Sequence, residues 1–412
     1  MRIVYLNPAS GLGGAERCLL DMMGAVRRME PSYELHLVVP ADGPLIERTE
    51  RLGVRVTVLT MPKTLMQMGD SMLNGPSRGK AMLELGRRGV RAGWSAWRYV
   101  NLLKRTLKQI KPDLIHSNGI KFHLLASAAQ SFDAPLLWHI HDFLSLRPLM
   151  ARALGWASTR AGGAIAISEA VRRDAQAVLR FLPVELVYNG IDTDEFSPQM
   201  NSGTCLDKLA GLPEAKPGTV RIGLVATFAR WKGHEIFLRA AAQVLNIRPQ
   251  PSARFFIIGE PIYQTRGSQF STDELRAIAA QLKIESYIGF IPFQQNPADI
   301  YRALDVAVHA STQPEPFGRT IVEAMACAKP VIVARAGGAA ELFTHDHDAV
   351  GVPPGDPAAL ATALTRLLTD PARLQSLANN ARQTAVERFN HHRLGPQILA
   401  AYRRFISASR AA

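Results

Sequence analysis

Cysteine is scarce in this chain of 412 residues: Cys18, Cys205 and Cys327 stand far apart, and no C-x-x-C pair occurs. An odd number of distant cysteines excludes a disulfide framework and a thiolate zinc site, and it points to a reducing compartment. Long apolar runs are missing too. No stretch reaches the roughly 18–20 apolar residues of a membrane span. The opening residues 1–8 are too short an apolar run for a secretory signal, and they end in turn residues as a first strand does. The expectation is a cytoplasmic protein, with peripheral attachment to the inner face of the cytoplasmic membrane left open. Acidic residues are under-represented, 35 against 48 Lys+Arg, for a formal net charge of +13. Such a surplus attracts anionic partners: nucleic acid, a membrane face or a phosphorylated substrate.

What is present is globular material, 47% hydrophobic and 20% charged, in a chain longer than one hydrophobic core organises. Two domains are therefore expected. Short apolar strand-like runs at 3–6, 34–39, 55–60, 114–117, 136–140 and 164–167 alternate with helix-periodic stretches such as 15–28 and 45–51. Alternation of this kind builds a parallel sheet wound with helices, so residues 1–195 read as one doubly wound, Rossmann-like domain. Residues 196–219 turn polar and rich in Pro, Gly and Ser, the composition of a linker. The pattern resumes at 221–226, 255–259, 287–290, 306–309 and 331–334, which makes 220–389 a second domain of the same class. Asp356-Pro357 and Asp370-Pro371 each set a capping side chain before a proline at the first helical position. A last helix around 394–406, within 390–412, is expected to return to the first domain. A ligand belongs in the cleft at the carboxyl ends of such strands.

The positive charge is concentrated between Lys63 and Lys111, where eleven cations face two anions, Asp70 and Glu84, and where Trp94, Trp97 and Tyr99 are interleaved. Basic residues with tryptophan on a helix suit an anionic membrane face; a solvated helix face is the plainer reading. No base-reading module accompanies them, so nucleic acid is not the expected partner.

The most informative string runs from Pro314 through Glu315, Phe317, Gly318, Arg319, Thr320, Val322 and Glu323 to Cys327. It lies between two strand-like runs. Gly318 allows close backbone approach, Arg319 and Thr320 open a helix whose amide groups suit a phosphate, and Glu323 follows one turn later, where a carboxylate can take a ribose diol. In this context Glu315-x7-Glu323 resembles the signature of the retaining glycosyltransferases of family 4, which have the GT-B fold. Four further motifs appear in that family's order: Gly13-Gly14-Ala15-Glu16-Arg17, His139-Ile140-His141-Asp142, Tyr188-Asn189-Gly190-Ile191-Asp192 and Gly337-Gly338-Ala339-Ala340-Glu341.

The resemblance implies an α/β protein of two Rossmann-like domains facing across a cleft, and a metal-independent hexosyltransferase. It would move a sugar from a nucleoside diphosphate donor to a glycan or lipid-linked acceptor, with retention by front-face attack beside the leaving phosphate. Donor binding falls to Gly13, Gly14, Arg230, Lys232, Phe317, Gly318, Arg319, Thr320, Val322 and Glu323, and catalytic work to His141, Glu315, Arg230 and Lys232. Arg230 and Lys232, one residue apart in an extended loop, can face a diphosphate together. The family's histidine touches the transferred sugar; His141 follows the strand 136–140, and His139 on the same face competes for that role. Gly13 and Gly14 are also compatible with a plain tight turn. Two metal readings are weighed: Asp192-Thr193-Asp194 sits in the exit turn before the linker rather than at a strand end, and the run from His345 to Asp348 lies in a polar loop, where a solvated surface is the commoner reading. No metal and no cofactor are expected. A nucleotide-sugar epimerase of like architecture and a non-catalytic sugar-nucleotide binder are the alternative functions.

Overall fold

A computed structural model describes residues 1–66, 81–130, 134–199, 204–247, 252–261 and 267–411, without the side chains of 81–92, 204–205 and 409–411. Much of the basic segment, including Asp70, Arg78 and Lys80, and the linker residues 200–203 thus lie outside the described residues. Two compact units result, Met1–Gly190 joined by His391–Ala412, and Ile191–Asn390.

The first unit holds seven strands: β1 (Arg2–Leu6), β2 (Glu34–Val39), β3 (Arg55–Val58), β4 (Leu114–Asn118), β5 (Leu136–Ile140), β6 (Gly163–Ala166) and β7 (Val184–Leu186). They form one sheet in the order β3-β2-β1-β4-β5-β6-β7, with every pairing parallel. The strands β4 and β5 are buried throughout, because a parallel sheet carries helices on both faces. Strand order reverses between β1 and β4, and the carboxyl ends on either side of such a reversal border a crevice. The terminal helix, Leu394–Ala411, packs Leu394, Ile398 and Tyr402 into the core beside Met22, Met23 and Val26 of the helix Gly14–Met29. Its Tyr402 hydroxyl pairs with His116 Nδ1 at 3.0 Å.

The second unit repeats the plan with β8 (Val220–Val225), β9 (Ala253–Ile258), β10 (Ile288–Ile291), β11 (Val306–His309), β12 (Val331–Ala334) and β13 (Val350–Val352). Their order is β10-β9-β8-β11-β12-β13, again all parallel, with the reversal between β8 and β11. Asp356 accepts hydrogen bonds from the amides of Ala358 and Ala359, and Asp370 from that of Arg373, so both Asp-Pro pairs cap helices.

The sequence expectation and the structure differ at the margins. The edge strands β7 and β13 have three residues each, too few to show a period. The units divide at Gly190–Ile191, and the described part of 196–219 counts within the second unit. Its polar composition reads as a linker, yet Asp207 is buried there and receives Arg254 at 2.5 Å and Arg221 at 3.4 Å. These two cations reach it from β9 and β8, which ties the short helix Thr204–Leu209 to the sheet.

Candidate active site

The second unit builds a charged cluster at the carboxyl ends of β8 and β11. After β8 the chain makes a tight 3-10 turn, Arg230–Lys232, and then passes through Gly233 at φ +77°. A Cβ at Gly233 would stand 1.8 Å from the Ala310 carbonyl oxygen, so only glycine lets the turn press against the end of β11. The Thr312 amide donates to the Trp231 carbonyl at 2.7 Å and holds the two segments together. That contact carries Lys232 to Glu315, whose carboxylate oxygens accept from Lys232 Nζ at 2.9 and 2.7 Å.

Glu315 is buried, and its Oε2 also accepts from Ser311 Oγ at 2.9 Å and His309 Nε2 at 3.1 Å. Because a carboxylate only accepts, His309 must carry its hydrogen on Nε2. Burial by itself would push the Glu315 carboxyl up; the Lys232 ammonium and the His309 hydrogen bond outweigh it and hold the group well below the usual carboxylate range. Its backbone is pinned as well. The Glu315 amide donates to the Ala336 carbonyl at 3.2 Å, and the Gly338 amide donates to the Glu315 carbonyl at 2.7 Å. The Gly337-Gly338 motif therefore serves as the seat of Glu315.

Three residues later Gly318, at φ +100°, caps the helix Arg319–Ala326. A side chain there would be strained and would meet Ile321 Cδ1 at 2.7 Å. One turn into the helix Glu323 is buried, with Oε2 accepting from the Tyr301 hydroxyl at 3.0 Å and Oε1 from Arg319 Nε at 2.7 Å. Burial, and then the Glu323 charge, push the Tyr301 hydroxyl pKa well above its ordinary value, so it stays a donor.

Several expected residues fall differently. Arg230 and Lys232 lie on a turn rather than an extended loop, and three residues per turn send them to different sides. Arg230 stacks on Phe270 at 4.3 Å and donates to Glu274 at 2.6 Å and the Gly267 carbonyl at 3.1 Å. Phe317 packs against Phe389 and Val322 is wholly buried, so their side chains belong to the core and leave only main-chain atoms for a donor. Asp192 Oδ1 accepts from the amides of Asp194 and Glu195, as a capping carboxylate in a turn does. In the His345 run, Asp348 accepts from the Thr344 amide and the Thr384 hydroxyl, and His345 Nδ1 accepts from the Gly351 amide.

In the first unit Gly13 is the N-cap of the helix Gly14–Met29, in extended backbone, and Gly14 is its first residue. His141 follows β5 and is half-buried, its Nε2 2.5 Å from Asn118 Oδ1 at the end of β4. Burial pushes His141 down to about 4. His139 is more deeply buried, packed edge-on against His116 and beside His141. The residues that sequence reading missed are Tyr301, His309, Ser311, Asn7 and Asn118. A faint signal existed for three of them: Asn7, Asn118 and His309 are polar groups ending apolar runs, where parallel strands present their carboxyl ends.

Comparison with known proteins now decides the family. The profile described as Glycosyltransferase Family 4 matches residues 12–195, and the one described as Glycosyl transferases group 1 matches residues 213–384. The chain belongs to glycosyltransferase family 4. A D-inositol 3-phosphate glycosyltransferase of Streptomyces bingchenggensis is 29% identical to this family-4 chain over 302 residues, covering 67% of the chain and 63% of that relative. A second, from Catenulispora acidiphila, is 32% identical over 203 residues, with 48% of the chain and 45% of the relative covered. The chain thus aligns with less than two thirds of the length of these curated relatives. Among solved structures, HepE of Anabaena in complex with UDP-glucose superposes with a TM-score of 0.78 at 26% identity, over 97% of this chain and 99% of that one. Sucrose-phosphate synthase of Thermosynechococcus elongatus, at 20% identity and a TM-score of 0.76, shares the fold. Both sheets are therefore those of the GT-B architecture.

Proposed function

We propose that the chain transfers a hexose-like sugar, with retention of configuration, from a nucleoside diphosphate sugar to an acceptor handled at the cytoplasmic face. That acceptor is a lipid-linked glycan, a polysaccharide precursor or a similar hydroxyl-bearing molecule, and neither a metal nor a cofactor takes part. The observation that carries this reading is the Lys232–Glu315 pair at the ends of β8 and β11, one short loop from the helix that bears Glu323. Relatives that bear the name D-inositol 3-phosphate glycosyltransferase, and HepE in complex with UDP-glucose, support it and make UDP-sugars the first donors to test.

In this mechanism the Gly318–Thr320 helix start receives the diphosphate and Glu323 takes the ribose. Lys232 leaves Glu315 for the leaving phosphate, whose charge grows as the glycosidic bond breaks. The released Glu315 oxygens then accept from hydroxyls of the sugar, and Arg230 adds charge once it swings away from Glu274. His141 contacts the transferred sugar, and Gly13 and Gly14 bring main chain to donor or acceptor.

The experiment is a screen of UDP- and GDP-sugars for protection against thermal unfolding, since a ligand bound to the folded state alone raises the midpoint by mass action. Transfer to hydroxyl acceptors is then assayed in excess EDTA. Protection by one donor and EDTA-resistant product support the proposal. Donor isomerised without acceptor identifies an epimerase instead, and activity that returns only with manganese removes the metal-free reading.

We also propose that the segment 63–111 rests on an anionic membrane face. In the helix Ala81–Ile110, Tyr99, Leu103 and Leu107 face inward, while Trp94, Trp97 and Leu102 are exposed and the Arg98 guanidinium stacks 4.7 Å over Trp94. Exposed tryptophan beside cations matches the headgroup level of a bilayer.

A further inference from the structure

The hydrogen bonds around His141 run in one direction. Asn7 Nδ2 donates to the Ala9 carbonyl at 2.6 Å and to Glu16 Oε1 at 3.3 Å. Both partners only accept, so the Asn7 amide nitrogen must point at them and its Oδ1 away. Asn118 Nδ2 donates to that Oδ1 at 2.6 Å, which leaves Asn118 Oδ1 toward His141 Nε2 at 2.5 Å. An amide oxygen only accepts as well. The hydrogen of His141 therefore sits on Nε2, and the ring's lone pair on Nδ1. Reversing Asn118 would set two amide oxygens against each other at the same 2.6 Å, at a site where Asn7 and Asn118 are both buried from solvent.

We infer that Asn7 and Asn118 are positioning residues that hold His141 in the Nε2–H tautomer, so that its Nδ1 accepts a hydrogen bond from a substrate hydroxyl. The last clause rests on the reading of His141 as a sugar contact; the tautomer does not. The relay begins at Glu16, in the first turn of the helix behind Gly13 and Gly14, and ends after β5. Three segments at the carboxyl edge of one sheet thus converge on a single imidazole. His139, His116 and His123 are the other titratable rings of that cluster, and burial lowers the pKa of each, which keeps them from supplying a competing proton.

The test is histidine nitrogen-15 correlation spectroscopy on the full chain, with His141 assigned by the signal lost in His141→Gln. The wild-type protein should show a protonated Nε2 and an unprotonated Nδ1 across neutral pH. A protonated Nδ1, or an even mixture, in the wild type overturns the proposal whatever the variants do. Asn118→Ala and Asn7→Leu should give mixed tautomers. An unchanged pattern in Asn118→Ala also overturns the relay. With saturating donor, Asn118→Ala should lower the transfer rate about tenfold or more while UDP affinity stays within twofold. If the tautomer is lost and the rate is not, the relay stands and the sugar contact of His141 is refuted.

Discussion

Lys232 Nζ bonds both oxygens of Glu315, at 2.9 and 2.7 Å, from 83 residues away in the chain. Neither group is solvated enough to stand alone: their side chains are 20% and 10% exposed. Removing one partner of such a pair strands the other's charge in a poorly solvated site. Lys232→Met should therefore destabilise the second unit by about 3 kcal/mol. Adding Glu315→Gln should recover part of that loss, because the amide keeps its size without its charge. The urea midpoint of the transition that nucleotide binding shifts reads both effects, and strictly additive losses would show that the pair is not coupled.

Glu323 and Glu315 should fail in different ways. Glu323→Gln is expected to weaken binding of the free nucleoside diphosphate about tenfold or more, since a charge-assisted hydrogen bond is worth roughly 1.5–3 kcal/mol. Glu315→Gln should leave that affinity nearly intact and slow transfer at saturating donor, because the free nucleotide has no sugar to touch. Calorimetry with the nucleotide and single-turnover kinetics with the donor separate the two. The reverse pattern would exchange the roles of the carboxylates.

The exposed stripe of the helix Ala81–Ile110 should bind liposomes that contain anionic lipid and release them as salt rises, with about 1 kcal/mol for each cation near the surface at low ionic strength. Trp94→Ala combined with Trp97→Ala should reduce recovery in flotation several-fold. Both side chains are more than half exposed, so the fold is expected to survive. Equal flotation with neutral and anionic lipid would remove the membrane proposal.

The buried histidines make stability depend on pH. Burial lowers His141 from 6.5 to about 4 and His116 from 6.5 to about 3, and it lowers His123 and His139 as well. The unfolded chain therefore binds protons that the folded chain refuses. Below the unfolded value of 6.5, stability falls as pH falls, until the folded values are reached. Each such histidine contributes up to about 1.4 kcal/mol per pH unit in that window. The urea midpoint should be flat from pH 8 to 7 and drop steeply between 6 and 4.5; a midpoint unchanged down to pH 5 would show that these rings are solvated.

Much of this was legible in the linear chain. Runs such as 136–140 and 306–309 are apolar on both faces because both faces are covered, and their spacing with helical stretches leaves little but a parallel sheet. The helix caps at Asp356 and Asp370 and the string from Glu315 to Glu323 are local, so a few neighbouring residues determine them. Within 196–219 the opposite holds: Asp207 is polar, and only its two distant arginines make it an interior residue.

The sequence alone determined the class of each segment, the family signature and the residue types able to meet a diphosphate and a sugar, because backbone periodicity and capping act over one or two turns. Tertiary structure decided which of those side chains meet. Gly233 brings Lys232 to Glu315 across the ends of β8 and β11, while Arg230 turns aside to Glu274. Parallel pairing of β1, β4 and β5 sets Asn7, Asn118 and His141 in one directional relay. Such contacts depend on strand register between segments that are remote in the chain, and a hydrogen bond has a direction that only the position of its partner can supply.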